Sequence, residues 1–530
     1  MFLIMSAAYV GQELQSEFGR IPPSFLPLGN RRLFQHQVKL APEKAAVHLS
    51  IPESFKVSTT DLNWLKENNV TLIKTPDGLS LGASLVAALN LTEHSLDSPL
   101  HVLFGDTLFT ELPQGDDIIC VSDVTDSYNW AIVTNDDFQW LKDGDNNLES
   151  GSHNIVNGYF KFSQPRQLMR AVTQSNWCFF NGLNRYHNTI GLTSVYSEKW
   201  LDFGHVNTYY RSKAHFTTQR AFNELMITSD WIEKSSIKNS KIAAEANWFA
   251  KLPFSLRGYI PQYLGHKSSN GRISYRLEYL HQTALNELYV FSELPVTIWE
   301  KIIQSAVGFL KSCLSEAAPI NVPANSIETL FSQKTQSRLT EYCQQHTISL
   351  TDLWTFNDEE PVSLSTLLTE SAKHLPNDND DWPSSILHGD FCFSNILYDF
   401  RADRVKTIDP RGTTPEGTET LYGDIRYDIA KLSHSVLGMY DWIIAGYFEV
   451  SISHDQITFN IEESPQHQII QQRFIELIEK EFNISAVTLM AMQIQLFLSM
   501  LPLHSDDKKR QKALFSNAFR LYNKMKRLEK

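Results

Sequence analysis

The sequence predicts an α/β domain built on a parallel sheet, followed by an α+β domain of two lobes. Three observations carry that expectation. Short apolar runs alternate with helical patterns near the start of the chain, the signature of a parallel sheet with helices on both faces. A strand, strand, helix succession follows in AFNELMIT, WIEKSS and KIAAEANWFAKL. Further on, the apolar stretches around Asn395 and before Asp409 read as a small hairpin within a mostly helical remainder. At 530 residues the chain is too long for one core, and about two to four domains are expected.

In the first domain FLIMSAAYV reads as a strand running into a loop over residues 6–30. LFQHQVKLA reads as a helix, AAVHLSI as a strand, TDLNWLKENN as a helix, VTLIKT as a strand, SLVAALNL as a helix and LHVLFGD as a strand. Ligands of such sheets bind at the carboxyl ends of the strands. Three features stand there: the first loop, closing on FLPLGN; the small-residue turn DGLSLGAS at 77–84; and Gly105-Asp106 after an apolar run. The start, MFLIMSAAYV, is short and lacks a basic leader, so it reads as a buried strand rather than a signal peptide. The apolar run over 486–503 is interrupted by Gln493 and Gln495 and reads as a core helix rather than a membrane span.

Composition narrows the class. Hydrophobic residues at 42% and charged residues at 20% are ordinary for a soluble globular protein. A formal charge of −13 argues against nucleic acid as the main partner, because an acidic surface repels phosphate backbones. The five cysteines, Cys120, Cys178, Cys313, Cys343 and Cys392, form no CxxC pair, which fits reduced thiols in a cytoplasm. Cys392 reads as a small space-filling side chain beside Asp390. The basic end, KKRQK and NKMKRLEK, reads as a solvated helix face.

The chemistry concentrates in residues 386–412, ILHGDFCFSNILYDFRADRVKTIDPRG. Asn395 follows Asp390 by five residues, and Asp409 comes fourteen residues later at the end of an apolar run. Phosphoryl transfer from ATP needs a carboxylate to orient the attacking hydroxyl and accept its proton. It also needs an amide and a second carboxylate to hold magnesium against the phosphates. HGDxxxxN followed by a strand ending in Asp resembles the aminoglycoside phosphotransferase and choline kinase family, small-molecule kinases with a protein-kinase-like two-lobe fold. The resemblance implies that Asp390 is the catalytic base and that Asn395 and Asp409 are magnesium ligands. GDIRYDIAKL at 423–432 resembles the helix after the metal aspartate; Asp424 and Asp428 there are expected to be structural. Upstream, Lys234 on a strand and Glu245 on a helix match the pair that grips the α and β phosphates, with Lys238 and Lys241 as competitors. Residues 220–223 stand where a Gly-rich loop would be. YRLEYL at 275–280 resembles the hinge, which places Glu278 and Leu280 against the adenine. HGD in place of HRD, and no APE-like motif after Asp409, argue against a protein kinase.

In the first domain, the three strand-end features, in their order, resemble the sugar-1-phosphate nucleotidyltransferases, whose fold is glycosyltransferase-A-like and Rossmann-like. The resemblance covers about residues 1–210. It implies a first loop around a nucleoside triphosphate with Arg20 on the phosphates, a turn with Gly78, Gly82 and Ser84 against the base, and Asp106 with Asp202 as magnesium ligands. Asn157-Gly158-Tyr159 resembles the sugar-side loop, and WLDFG at 200–204 the segment carrying the second metal carboxylate. The first loop departs from the family pattern. Arg20 is its only basic residue, and Ser24 stands about where a lysine belongs.

The expected organisation is a nucleotidyltransferase-like domain over 1–210, a kinase-like N-lobe over 211–285 and a mostly helical C-lobe over 286–530. The expected function is a bifunctional cytoplasmic enzyme using Mg2+, ATP and a second nucleoside triphosphate. It would phosphorylate a sugar or polyol and then couple the phosphate to a nucleotide, for capsule or surface-glycan assembly. The alternative is a kinase with a non-catalytic nucleotide-binding or scaffolding first domain. The acceptor, the nucleobase and the oligomeric state, a homo-oligomer included, stay open.

Overall fold

A computed structural model describes residues 1–529 except 94, 124–127, 129, 135–139, 143–153, 221–224, 270, 321, 323–325 and 381. The chain divides into two units, Met1–Lys213 with Phe291–Glu293, and Ala214–Val290 with Leu294–Lys530.

The first unit is built on a mixed sheet. Strands Phe2–Met5, Val47–Pro52, Val70–Thr75 and Leu100–Phe104 are mutually parallel, with Phe2–Met5 between Val47–Pro52 and Leu100–Phe104. All four residues of Phe2–Met5 are buried, as a central strand covered on both faces requires. Leu3 and Met5 join a core with the helices Leu81–Leu91, Pro165–Gln174 and Phe179–Thr189, while Phe2 and Ile4 alternate to the other face. Capping sets where the crossover helices start. Ser58 accepts from the N–H of Asp61 to open Thr59–Glu67, and Ser80 accepts from Ala83 to open Leu81–Leu91.

Two expectations need correction here. LFQHQVKLA gives only the short helix Leu33–Gln37 and a 3-10 turn at Val38–Leu40. Asn157-Gly158-Tyr159 is not a loop. It lies in strand Ile155–Phe162, which runs antiparallel between Leu100–Phe104 and Ile118–Ser122 and so breaks the all-parallel pattern. Gly158 has φ of +89°, and a Cβ there would meet Thr107 Oγ1 at 2.7 Å, so glycine permits a kink in a paired strand.

The second unit begins with a four-stranded antiparallel sheet ordered Leu225–Ile227, Trp231–Ser235, Arg272–Glu278, Tyr263–Ser269, packed on helix Asn239–Lys251. The strand, strand, helix expectation holds in this region. The segment expected in place of a Gly-rich loop lies outside the described residues, apart from Arg220. The larger part is helical around Ala486–Met500, which is buried along nearly its whole length. It contains the one stretch among the described residues that is long and apolar enough to cross a membrane. Its two glutamines are bonded inside the core, Gln493 Nε2 to Ala430 O at 2.9 Å and Gln495 Nε2 to Ser371 Oγ at 2.8 Å.

The helical reading of this part is corrected over 353–363 and 448–461, which form one four-stranded sheet. Strands Phe448–Ser453 and Gln456–Ile461 form a hairpin, and Gln456–Ile461 pairs in parallel with Leu353–Phe356. FEVSISHDQITFNI alternates in the manner of a half-buried hairpin turning at His454, whose φ is +53°.

Candidate active sites

The 386–412 stretch folds into a tight loop and a hairpin. Strands Ile396–Asp399 and Arg404–Thr407 pair antiparallel with Ile396 opposite Thr407, and the N–H of Ile408 donates to Asn395 O at 2.9 Å. Asn395 and Asp409 therefore stand at the same end of the hairpin. Asn395 Nδ2 donates to Asp390 O at 2.9 Å and to Asp390 Oδ2 at 3.2 Å, leaving its Oδ1 as the acceptor. Asp409 sits at φ of +55°, a conformation that only a locally stabilised residue adopts.

Buried groups hold the loop from behind. Asp428 accepts the N–H groups of His388 at 2.7 Å and Gly389 at 2.8 Å. Burial raises its carboxyl to about 7, against the pull of those backbone donors. His388 is fully buried; its Nε2 donates to Ile408 O at 2.9 Å, and the N–H of Asp390 donates to its Nδ1 at 3.3 Å. Burial pushes its imidazole down to about 4, so it works as a neutral strut. Asp424 caps helix Ile425–Val436 and pairs with Arg426, as a structural residue would.

Lys234 joins the two lobes of this unit. Its Nζ lies 2.9 Å from Glu245 Oε2 and 2.8 Å from Asp409 Oδ1. The Oη of Tyr275 donates to the same Glu245 oxygen at 2.8 Å, and Lys241 reaches the other one at 3.6 Å. Lys238 precedes the helix as its N-cap and makes no side-chain cap bond. Burial works against the charge of Lys234, but Asp409 and Glu245 hold its pKa above the ordinary lysine value. Gly412 lets the 386–412 segment pass close under the helix carrying Glu245: a Cβ there would sit 2.5 Å from Ala244 O.

Lys431 was not singled out from the sequence, yet its Nζ lies 2.9 Å from Asp390 Oδ1. Burial raises the Asp390 carboxyl, but Lys431 and Arg411 outweigh it and hold the group well below the carboxylate range. The available signal was DIAK, which puts Lys431 three residues after Asp428 on one helix face. Cys392 is buried in the loop, bonded to Ser394, and its thiol is pushed up by burial to about 12, as befits an inert filler. At the hinge, the N–H of Glu278 donates to Gln262 O at 2.9 Å and its carboxylate accepts from Gln262 N at 3.1 Å. Leu280 O accepts from Gln282 N at 2.9 Å. The backbone at both expected adenine contacts is thus partly engaged within the chain.

In the first unit, Asp106 follows strand Leu100–Phe104 and Asp202 ends strand Trp200–Asp202, which pairs with Thr107–Phe109. The two carboxylates converge on Gly204. A Cβ there would lie 3.0 Å from Asp106 Oδ2 and 3.3 Å from Asp202 Oδ1, and Gly204 N donates to Asp202 Oδ1 at 3.1 Å. Burial pushes the Asp106 carboxyl up, with His205 pulling the other way. Gln37 Nε2 fixes the turn by donating to Gly105 O at 3.0 Å and Thr107 O at 2.8 Å.

The nucleotide-loop residues are differently placed. Arg20 lies 3.6 Å from Asp77 and 4.0 Å over the Tyr9 ring. Ser24 is fully buried, donating to Gly105 O at 3.2 Å, so no cation replaces the missing lysine at that point. Gly78 turns at φ of +76°. Gly82 has a packing reason of its own, since a Cβ would meet Trp177 O at 2.3 Å, and Ser84 is buried in the same helix.

Both carboxylate sets suit magnesium, a hard cation that takes oxygen donors. Among the described residues no three His, Cys, Asp or Glu side chains cluster as a metal cage. One carboxylate with one amide, or two carboxylates, leaves the rest of an octahedral shell to phosphate and water, which magnesium favours.

No family model matches the chain, and no curated protein matches it. Solved structures similar to it fall into two groups. CTP:phosphocholine cytidylyltransferase from Streptococcus pneumoniae is 13% identical with a TM-score of 0.30, matching 40% of this chain and 96% of its own. The inositol-1-phosphate CTP transferase from T. maritima is 14% identical with a TM-score of 0.32, matching 41% of this chain and 95% of its own. Spectinomycin phosphotransferase, solved with ADP and spectinomycin, is 10% identical with a TM-score of 0.32, matching 57% of this chain and 86% of its own. The functional reading rests on the geometry of the sites.

Proposed function

We propose that the chain is a bifunctional enzyme that makes a nucleotide-activated sugar or polyol. The second unit phosphorylates a small-molecule hydroxyl with ATP. The first unit transfers a nucleotidyl group onto that phosphate and releases pyrophosphate. The setting is cytoplasmic synthesis of capsule or another surface glycan, a reading that rests on the pairing of the two chemistries alone.

The observation that carries the kinase half is Lys234, held between Glu245 and Asp409 at 2.9 and 2.8 Å while Asn395 is bonded to Asp390. Lys234 draws the α and β phosphates toward the hairpin. Asp390, kept ionised by Lys431, orients the acceptor hydroxyl and receives its proton as the O–P bond forms. Orientation counts for more than basicity here, because the transition state of phosphoryl transfer is loose. Asn395 and Asp409 would hold magnesium, which would supply charge neutralisation on the phosphates. In the first unit Asp106 and Asp202 would hold a second magnesium, and Arg20, released from Asp77, would contact the triphosphate. Gly78, Gly82 and Ser84 border the base, as Glu278 and Leu280 border the adenine.

A second reading keeps the kinase and makes the first unit a non-catalytic binding or scaffolding domain. The engagement of Arg20 by Asp77 and Tyr9 and the burial of Ser24 favour it. One experiment separates the two. Purified chain is screened with sugars and polyols in the presence of ATP and magnesium, and each nucleoside triphosphate is then added with pyrophosphate detection. Phosphorylation followed by pyrophosphate release supports the bifunctional enzyme; phosphorylation alone supports the second reading. Phosphate transferred only to protein would overturn both.

A further inference from the structure

Beside the catalytic loop lies a cavity of about 440 Å3 lined by Lys334, Arg338, Arg411, Gln333, Thr329 and Thr413, among others. Its charge is one-sided. Lys334 Nζ donates to Tyr427 Oη at 3.2 Å, and Arg338 donates to Ser499 O at 3.1 Å. Among the described residues none of the three cations has a carboxylate within 4.0 Å, whereas Lys431 next to them is matched by Asp390. The three come from two segments far apart in sequence. Lys334 and Arg338 lie one turn apart on helix Lys334–His346, and Arg411 follows Asp409. A solvated helix face would not gather them around one concavity.

The electrostatics agree with the geometry. Burial lowers the pKa of Lys334, and Arg411 and Lys431 add repulsion. The same cations outweigh burial at Tyr427 and bring its phenol down to about 8. Half-buried, mutually repelling cations with hydroxyl and amide donors around them are costly unless an anion completes the site. The cavity also adjoins the reacting centre. The N–H of Arg411 donates to His388 O at 2.8 Å, and a Cβ on Gly389 would sit 2.8 Å from Arg411 Cβ. Tyr427 bridges from Lys334 to the helix that presents Lys431 to Asp390. A ligand held here lies beside the loop that carries Asp390.

We propose that this cavity is the acceptor subsite and that the molecule phosphorylated already carries an anionic group, a carboxylate or a phosphate, held by Lys334, Arg338 and Arg411. The proposal rests on the kinase reading and names its substrate class. A neutral or cationic acceptor would leave three cations uncompensated next to its own binding site.

The test uses the full chain with ATP and magnesium and acceptor sets that differ in charge: glycerol, glycerate and glycerol 3-phosphate; glucose, glucuronate and glucose 6-phosphate. Calorimetric titration with each compound and with inorganic phosphate is run on the chain holding ADP and magnesium. Anionic members should bind at least about tenfold more tightly than their neutral counterparts, a free-energy difference set by charge-assisted hydrogen bonds. Preference for carboxylate over phosphate, or the reverse, assigns the anion. Lys334→Met and Arg338→Gln should each weaken anion binding about tenfold or more and raise the acceptor KM, and Lys334→Arg should restore part of it. Equal binding of neutral and anionic members would overturn the proposal, as would a KM change confined to ATP. Anion binding that depends on Lys334, in a chain that transfers phosphate to nothing, would uphold the subsite and sink the kinase reading instead. Turnover of neutral acceptors with Lys334→Arg and Lys334→Met alike at the original KM would do the opposite.

Discussion

Asp390 is flanked by a cation on one carboxylate oxygen and an amide on the other, at 2.9 and 3.2 Å. That arrangement fixes its direction and its charge together. Asp390→Asn should lower phosphoryl-transfer turnover by about 100- to 10,000-fold while nucleotide binding survives. Lys431→Met removes the cation that holds the Asp390 carboxyl low and leaves burial, which raises it. The acid limb of kcat/KM should then move toward neutral pH by about one unit or more, so that the variant loses activity on mild acidification while the parent does not. An unmoved acid limb would show that Asp390 ionisation does not govern the rate. Lys234 and Glu245 form one unit, with Tyr275 on the same oxygen. Lys234→Met and Glu245→Gln should impair the same step, and the double variant should be little worse than the worse single one. Fully additive losses would separate them and bring Lys241, already 3.6 Å from Glu245, forward as the partner.

At the scale of elements, the catalytic hairpin depends on a buried neutral histidine. His388 has a folded value of about 4 against an ordinary 6.5. A group whose folded pKa is depressed stabilises the fold above its unfolded value, and that contribution disappears as pH falls through the folded value. Between pH 6.5 and 4 the second unit should lose up to about 3 kcal/mol on this account. His388→Gln should flatten the fall of the thermal midpoint between pH 7 and 4, read by tryptophan fluorescence; an equally steep fall would assign acid sensitivity to other groups, such as the half-buried His467, whose imidazole burial also pushes down. What the sequence allowed here follows sequence distance. Asp390, Asn395 and Asp409 share one short stretch, and Lys234 and Glu245 belong to one strand–helix pair, so local pattern placed them. Lys431, Arg411, Lys334 and Arg338 come from separate segments, and their meeting is a product of tertiary packing. The hairpin over 448–461 was legible in its alternation but was overshadowed by the helical periodicity on both sides. Asn157-Gly158-Tyr159 looked like a loop because glycine marks turns, whereas here it marks a kink inside a paired strand.

At the scale of the molecule the two units carry separate carboxylate sites, so their chemistries should be separable by mutation. Asp106→Ala and Asp202→Ala should each abolish pyrophosphate release and leave ATP-dependent phosphorylation of the acceptor at parental rate. Arg20→Ala should act mainly on affinity for the second nucleoside triphosphate. Unchanged nucleotidyl transfer in the Asp106→Ala protein would place that reaction elsewhere. Both carboxylates converge on Gly204, and two acids facing one point repel unless a cation or a proton lies between them.

The parallel pairing of Thr355 with Gln456 bears on the order in which the chain is synthesised. It encloses the whole catalytic stretch and Lys431 between two strands. Helix Ile425–Val436 is then covered by still later segments, through Gln493 on Ala430 and Asn517 Nδ2 on Gly438 O at 2.9 Å. At about 5–20 residues per second, residues 457–530 take roughly 4–15 s to add. Throughout that interval a ribosome-bound chain already contains Lys234, Asp390 and Asp409 but lacks the packing that fixes Lys431 beside the aspartate. On the kinase reading, Lys431 is fixed beside Asp390 only once these later helices have packed.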